Sequence, residues 1–293
     1  MRSLGGEIIL RIEDLDQERA VPDAWRGIVD DLRWLGIDWD NELSPEYFQS
    51  ARSRHYRAAI EDLRSRDLVY ECFCSRKELR EIASAPHGAT GRYSGRCRNL
   101  TPEERALRRR NKAPALRFRV RPGTITSFTD GIHGEQQEDV SAVTGDFIIA
   151  RADGVPGYQL AVVIDDIVMG ITHVLRGDDL LSSTPRQILL FGAFGSTAPS
   201  YAHAPLILAA DGTRLAKRHG SVSIAELRMA GHMPEGIVGW LGWSCGLLPS
   251  PAPCRAAEMI GAFNPAKISR EPTVMQDSGR GDPGLGSVRG PTI

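Results

Sequence analysis

"GYQLAVVIDDIVMGITHVLRGDDLL", residues 157 to 181, decides the fold. An apolar stretch runs to a break at Gly170, "ITHVLRG" follows as a strand, and a helix start falls at Asp178 or Asp179. Upstream, "DFIIAR" (146–151) reads as a buried strand and "ALRFRV" (115–120) alternates like a half-exposed one, with a polar, Gly-containing loop between them. Downstream, "APLILAA" (204–210) is one more apolar strand. Towards the N-terminus, "EIILRI" (7–12) is a β-branched run bounded by Gly5-Gly6 and an acidic "EDLD", the pattern of a strand ending at a functional edge. A helix follows: Pro22 stands near its first turn, and Ala24, Trp25, Ile28, Val29, Leu32 and Leu35 recur at helical spacing until Gly36. A second amphipathic segment covers residues 53–66, and "LVYECFC" (68–74) is a strand that delivers two cysteines into a Gly-, Arg- and Ser-rich insertion. Helices alternating with strands predict an α/β architecture with a parallel sheet, not an all-β one.

The bulk numbers narrow the function classes. The chain has 293 residues, 41% hydrophobic and 25% charged, which is an ordinary globular composition. Its formal net charge of −1 gives no whole-chain attraction to nucleic acid or membrane, so any such attraction is local. No apolar run approaches the roughly 18–20 residues of a membrane-spanning helix, and no secretory signal opens the chain, so a cytoplasmic protein without membrane contact is expected. Five cysteines, three of them between positions 72 and 97, suggest a metal or reactive cluster in a reducing compartment. From residue 276 the sequence collapses to "DSGRGDPGLGSVRGPTI", a composition too poor in apolar residues to order itself, and a disordered tail over 276–293 is expected.

Four constellations carry possible chemistry. Cys72 and Cys74, one residue apart, are joined by Cys97 in "RYSGRC", and thiolates grouped this way suit tetrahedral zinc that would staple a coreless insertion. Ligand frequency favours His87 as the fourth donor, with Tyr93 or water as alternatives; the competing reading is two core cysteines on a strand and an unrelated third. "DGTRLAKRHG" (211–220) places Arg214, Lys217 and Arg218 beyond the C-terminal end of a strand, where open α/β sheets bind ligands and where mobile cations meet phosphate. Glu13 in "RIEDLD", Tyr158 in "GYQL" and Arg176 in "VLRGDD" could hold a zwitterionic amino acid, the carboxylate of Glu13 on its ammonium and the fork of Arg176 on its carboxylate. "RALRRRNKAPALRFRVR" (105–121) concentrates cations that could meet RNA phosphates or form a solvated helix face.

Taken in order, "LRIEDLD", "YECFCSR" with "YSGRC", "DFIIARADGVPGYQLAVVIDDIVMGITHVLRGDDLL" and "YAHAPLILAADGTRLAKRHG" resemble the class I glutamyl-tRNA synthetase catalytic domain. The C-x-C…Y-x-x-x-C pattern and "FNPAKISREPTV" near the end narrow the resemblance to that family's short branch, the glutamyl-Q tRNA(Asp) synthetases. The likeness spans roughly residues 7–275 and implies a Rossmann-like catalytic domain over 1–275 with a zinc-containing, acceptor-type insertion at 67–121.

Carried over residue by residue, "RLAKR" occupies the place of the family's KMSKS loop. Lys217 would then be its ATP-contacting, catalytic lysine and Arg214 a further ATP-binding cation, with Ala216 where serine is usual. Glu13, Tyr158 and Arg176 match the glutamate-binding positions; Cys72, Cys74, Tyr93 and Cys97 match the zinc ligands, so Tyr93 displaces His87. The implied activity is ATP- and magnesium-dependent activation of L-glutamate and its transfer to queuosine in the anticodon loop of tRNA(Asp), by a monomer with one structural zinc. The family also begins with a strand and a histidine-bearing HIGH segment, whereas this chain opens "MRSL" near the end of the family's first helix. The resemblance therefore implies a sheet short of its first strand, half an ATP site, and impaired catalysis. Two other functions compete: a non-catalytic, zinc-stabilised tRNA-binding remnant, and a truncated glutamyl-tRNA synthetase that charges tRNA(Glu).

Overall fold

In the computed structural model, which describes residues 1–16, 21, 23–75, 78, 92–209, 211–213 and 223–275, three sheets share one α/β body. Strands β1 (Val69–Cys72), β2 (Ala115–Phe118) and β5 (Phe147–Ala150) form an antiparallel sheet in the order β1-β2-β5, with a register shift between Leu116 and Arg117. Strands β3 (Ile125–Asp130), β4 (Gly134–Asp139), β6 (His173–Gly177) and β7 (Ser200–Ala204) form a mixed sheet in the order β4-β3-β7-β6. In it β3 and β4 are an antiparallel hairpin, while β7 runs parallel to both β3 and β6. A short parallel pair, β8 (Ile207–Leu208) with β9 (Thr273–Val274), ties the last described segment back to the strand that precedes the Asp211–Gly212 turn.

In the decisive stretch the break at Gly170 and the strand after it are as expected, while the helix expected from Asp178 or Asp179 opens as a 3-10 segment, Asp178–Ser183, and becomes α-helical only at Thr184. Tyr158–Val168 is an α-helix whose residues from Leu160 to Asp166 are all buried. It is apolar on every side because it packs between the Ser53–Ser65 helix, β5 and the Thr184–Ala193 helix. Gly170 adopts a left-handed φ of +64°, which glycine accepts without a Cβ penalty, and the chain turns there into β6. The main core gathers Tyr56, Leu63, Leu116, Phe118, Phe147, Ile149, Leu160, Val163, Leu190 and Phe191 around that helix. The helices expected near residues 24–35 and 53–66 are present as Ala24–Trp34 and Ser53–Ser65.

Two expectations are corrected. The run 7–12 is not a strand: only Ile12 makes a bridge, to Phe48. Backbone bonds are few and side chains make up the rest: Asp40 N donates to Ile8 O at 2.8 Å, while Ile8 N donates to Asp40 Oδ2 at 2.7 Å and Leu10 N to Asn41 Oδ1 at 2.8 Å. The segment between "ALRFRV" and "DFIIAR" is not a loop but the β3–β4 hairpin followed by a short helix, Val140–Val143. The sheets are accordingly mixed, not purely parallel. The residues expected to form a disordered tail, 276–293, lie outside the described residues.

Buried ion pairs fix how these elements meet. Asp165 and Asp166, interior residues of the 158–168 helix, would be prohibitive there if unpaired. Asp165 accepts from Arg52 Nε at 2.6 Å and Gln49 Nε2 at 2.8 Å, and Asp166 accepts from Arg11 Nη1 at 2.8 Å. Arg11 thereby docks the N-terminal segment, including Glu13, against the helix that begins at Tyr158.

Candidate active site

The three residues proposed to hold an amino acid arrive from three elements and meet. Glu13 lies on the segment docked by Arg11, whose Nη2 is 3.3 Å from its carboxylate. Tyr158 is the first residue of its helix and is 38% exposed. Arg176 lies near the C-terminal end of β6. The phenol of Tyr158 is pushed above its usual pKa, first by burial; Glu13 adds to the rise and the Arg176 guanidinium opposes it. One hydroxyl thus feels both the anion and the cation expected to bracket a zwitterion.

Arg176 is held from behind by groups that the sequence did not mark. Strands β6 and β7 pair Arg176 with His203, and Arg176 Nε donates to His203 Nε2 at 3.0 Å. Arg176 Nη2 donates to Thr184 Oγ1 at 2.8 Å, and the guanidinium carbon lies 5.2 Å from the centre of the Tyr201 ring. On its other side His203 Nδ1 meets Asp130 Oδ2 at 2.6 Å, with both side chains fully buried. An arginine can only donate, so Nε2 is the acceptor and the imidazole proton sits on Nδ1. The His203 pKa is lowered, first by burial, with Asp130 opposing; the ring is neutral at pH 7. The only signal in the sequence was a histidine inside an apolar strand, and Asp130 lay in the segment read as a loop.

The cysteine cluster is built as expected. The sulfur atoms of Cys72, Cys74 and Cys97 all lie within 4.8 Å of one another. Cys72 and Cys74 come from β1 and the residues just after it, and Cys97 from the 96–99 turn. Cys74 Sγ is 3.7 Å from Cys97 Sγ, and the Tyr93 hydroxyl is 3.5 Å from Cys72 Sγ and 3.6 Å from Cys74 Sγ. Tetrahedral zinc with bonds of about 2.3 Å to sulfur and about 2.0 Å to oxygen requires edges of about 3.8 and 3.5 Å, so this donor set fits the ion. Arg117 Nε donates to Cys72 Sγ at 3.3 Å, while its guanidinium lies 3.7 Å from the centre of the Tyr93 ring. The Cys72 thiol is drawn down to about 4, chiefly by Cys97 and then by Tyr93 and Arg117. Cys97 moves up, first through Cys72, and Tyr93 moves up through burial. Tyr70, Phe73 and Leu100 wrap the cluster in a small core of its own. His87 lies outside the described residues.

Arg214 and Lys217 also lie outside the described residues, which resume at Ser223 after the Asp211–Gly212 turn. Most cations of the basic stretch 105–121 lie at the surface, Arg109, Arg110, Lys112 and Arg121 being exposed, although several have partners there. Arg105 Nε donates to Leu100 O, Lys112 Nζ to Phe73 O, and Arg109 pairs with Glu71. Arg117 is 5% exposed, which removes it from any surface for RNA. Among the described residues, no helix is long and apolar enough to cross a membrane.

The chain is similar to known proteins. The family described as tRNA synthetases class I (E and Q), catalytic domain, matches residues 1–275. A glutamyl-Q tRNA(Asp) synthetase of Symbiobacterium thermophilum is 51% identical over 282 residues, spanning 92% of this chain and 86% of that protein. A glutamate–tRNA ligase of Halorhodospira halophila is 44% identical over 278 residues, and there the chain spans 58% of the relative's length. Among solved structures, a glutamate tRNA ligase from Elizabethkingia meningosepticum in complex with its amino acid superposes with a TM-score of 0.75 at 30% identity, covering 91% of this chain and 60% of that one.

Proposed function

From the premise that this chain belongs to the class I tRNA synthetases for E and Q, as a catalytic domain and a ligase, we propose that it activates L-glutamate with ATP and passes the glutamyl group to queuosine in tRNA(Asp). The observation that supports the reading is that the Tyr158 phenol lies within electrostatic reach of both Glu13 and Arg176. The glutamyl-Q tRNA(Asp) synthetase name of a relative matched over 86% of its length supports the acceptor.

The chemistry asks little covalent help from the protein. A glutamate carboxylate oxygen attacks the α-phosphorus of ATP, the bond to the bridging oxygen breaks, and pyrophosphate departs, giving glutamyl-adenylate. Catalysis is then mostly placement and charge stabilisation. Glu13 takes the ammonium, Arg176 a carboxylate, and the Tyr158 hydroxyl orients the molecule between them. Lys217, with Arg214, would meet the phosphates and follow charge onto the leaving pyrophosphate, and magnesium bound with ATP would supply further charge neutralisation. Cys72, Cys74, Tyr93 and Cys97 would hold a zinc ion, which would supply a structural cross-link between β1 and the 96–99 turn.

Glutamate-dependent exchange of pyrophosphate into ATP tests the first step. Labelled glutamate, offered with tRNA(Asp) carrying queuosine, tRNA(Asp) lacking it, or tRNA(Glu), tests the second. Transfer only to the queuosine-bearing tRNA is expected. Transfer to tRNA(Glu) would favour the reading that the 44% identical glutamate–tRNA ligase supports. Binding of tRNA without exchange would reduce the chain to a binding protein.

A further inference from the structure

We infer that Asp130 and His203 are positioning residues for Arg176: together they form a buried relay that fixes the guanidinium plane so that it can take a substrate carboxylate. The substrate part of this inference rests on the function proposed above.

The relay begins at a backbone anchor. Asp130 Oδ1 accepts from Ile132 N at 3.0 Å, His133 N at 2.9 Å and His203 N at 3.3 Å, so the carboxylate cannot turn. Its other oxygen takes the Nδ1 proton of His203 at 2.6 Å. That bond sets the imidazole tautomer and leaves Nε2 as an acceptor aimed at Arg176 Nε, 3.0 Å away. A second bond, from Nη2 to Thr184 Oγ1 at 2.8 Å, fixes the plane of the fork. With Nε and Nη2 committed, Nη1 is the nitrogen left for a ligand beside Tyr158.

The strand register explains why these residues meet. Arg176 and His203 are Cα partners in the parallel β6–β7 pair, and Asp130 ends β3 on the far side of β7. A free arginine side chain would lose rotamer freedom on gripping a carboxylate, whereas one clamped beforehand does not. The relay therefore acts on amino-acid binding and leaves ATP contacts untouched.

Two substitutions separate the relay's two bonds. H203Q places an amide oxygen where Nε2 stood and keeps an acceptor for Arg176; H203N keeps a donor for Asp130 and offers Arg176 nothing. Binding of L-glutamate and of ATP to the full chain is measured by calorimetry for the parent and both variants. In parallel, solvent exchange of the Arg176 Nε–H is followed by NMR, the signal being assigned by its loss in R176K. We expect H203N to weaken L-glutamate about tenfold, equivalent to about 1.4 kcal/mol, with ATP affinity unchanged and Nε–H exchange accelerated. H203Q, which keeps the acceptor but loses the orienting bond to Asp130, should weaken L-glutamate only about threefold and leave Nε–H partly protected. Equal losses in the two variants, or parent-like glutamate affinity in H203N, would overturn the positioning role. A parent chain with a protected Nε–H that binds no L-glutamate would sink the functional reading yet support the relay.

Discussion

Replacing Asp165 with alanine should cost about 4 kcal/mol of folding stability. Its carboxylate has no solvent exposure and accepts from three donors: Arg52 Nε at 2.6 Å, Gln49 Nε2 at 2.8 Å, and the single proton of the Tyr56 hydroxyl, which lies 3.0 Å from each oxygen. Arg11 Nε lies 3.6 Å away. Removing one partner of a buried ion pair leaves the other charged and dry, at about 3–5 kcal/mol. Arg52 has a side chain only 6% exposed, and its Nη1 alone keeps a partner, Glu46 O. The orphaned Tyr56 hydroxyl and Gln49 amide would add about 1–3 kcal/mol each if independent, but groups in one network do not add, so about 4 is the figure to hold. Against a typical total of about 5–15 kcal/mol, that is about a quarter or more of the stability. Urea unfolding of the parent, D165A, R52L and the double variant measures it. The double variant should recover at least about 2 kcal/mol relative to the sum of the singles, since it removes the stranded cation together with its partner. A loss below about 1 kcal/mol in D165A, or strictly additive singles, would refute the reasoning.

Three further outcomes are expected. The purified chain should carry about one zinc, and a strong chelator or C97S should remove it and lower the unfolding midpoint by about 5 °C or more; a parent whose midpoint ignores the chelator would contradict the site. G239A should destabilise by about 2 kcal/mol, because a Cβ at Gly239 would meet the Ala252 carbonyl oxygen at 1.9 Å and its carbon at 2.7 Å, and overpacking against backbone outweighs the roughly 1 kcal/mol that alanine gains in a helix; a stabilised variant in urea would rule this out. Finally, His203 is neutral in the fold with its pKa below the usual 6.5, lowered by burial and by Arg176 and His133, while Asp130 opposes; Thr184 and Tyr201 complete its surroundings. The unfolded chain therefore gains the proton first as pH falls, so this contribution to stability is whole above about 6.5, shrinks below it, and levels off under the folded pKa. Urea midpoints between about pH 5 and 7.5 should fall more steeply towards acid for the parent than for H203Q; parallel profiles would reject the assignment.

What the sequence made legible follows from what local pattern can encode. The helix at 24–34 is signalled by spacing and by Gly36 at its end and appears where expected, whereas 158–168 is legible only as an apolar stretch broken at Gly170, since a segment buried on all sides carries no amphipathic period to mark it as helix. Cys72 and Cys74 are legible as a pair because alternate residues of an extended chain share a face. The run 7–12 shows the opposite failure: "EIILRI" has strand composition, but a strand is a property of two backbones, and here Asp40 and Asn41 supply part of the pairing through side chains. The β3–β4 hairpin was missed because "ITSFTDGIHGEQQED" alternates polar with polar; Phe128 is the only large apolar residue between Ile125 and Ile132. The pairing of Arg176 with His203 was beyond any local reading, since strand register sets it across 27 residues.

The same contrast explains how the site is held. Glu13, Tyr158 and Arg176 sit on a docked segment, a helix start and a strand end, and no apolar contact could specify their mutual angles to a fraction of an ångström. Buried charge does so: Arg11 on Asp166 sets Glu13 against the Tyr158 helix, and Asp130 through His203 sets Arg176. Such pairs are poor sources of stability, because desolvation offsets most of their Coulomb attraction, and apolar replacements of equal volume are often tolerated or better. Their directional bonds are what an apolar core lacks. A variant with both Asp166 and Arg11 replaced by leucine should therefore keep its fold within about 1–2 kcal/mol yet bind L-glutamate several-fold more weakly, separating stability from placement. Equal retention of both would mean that Glu13 is positioned by something other than the Arg11–Asp166 pair.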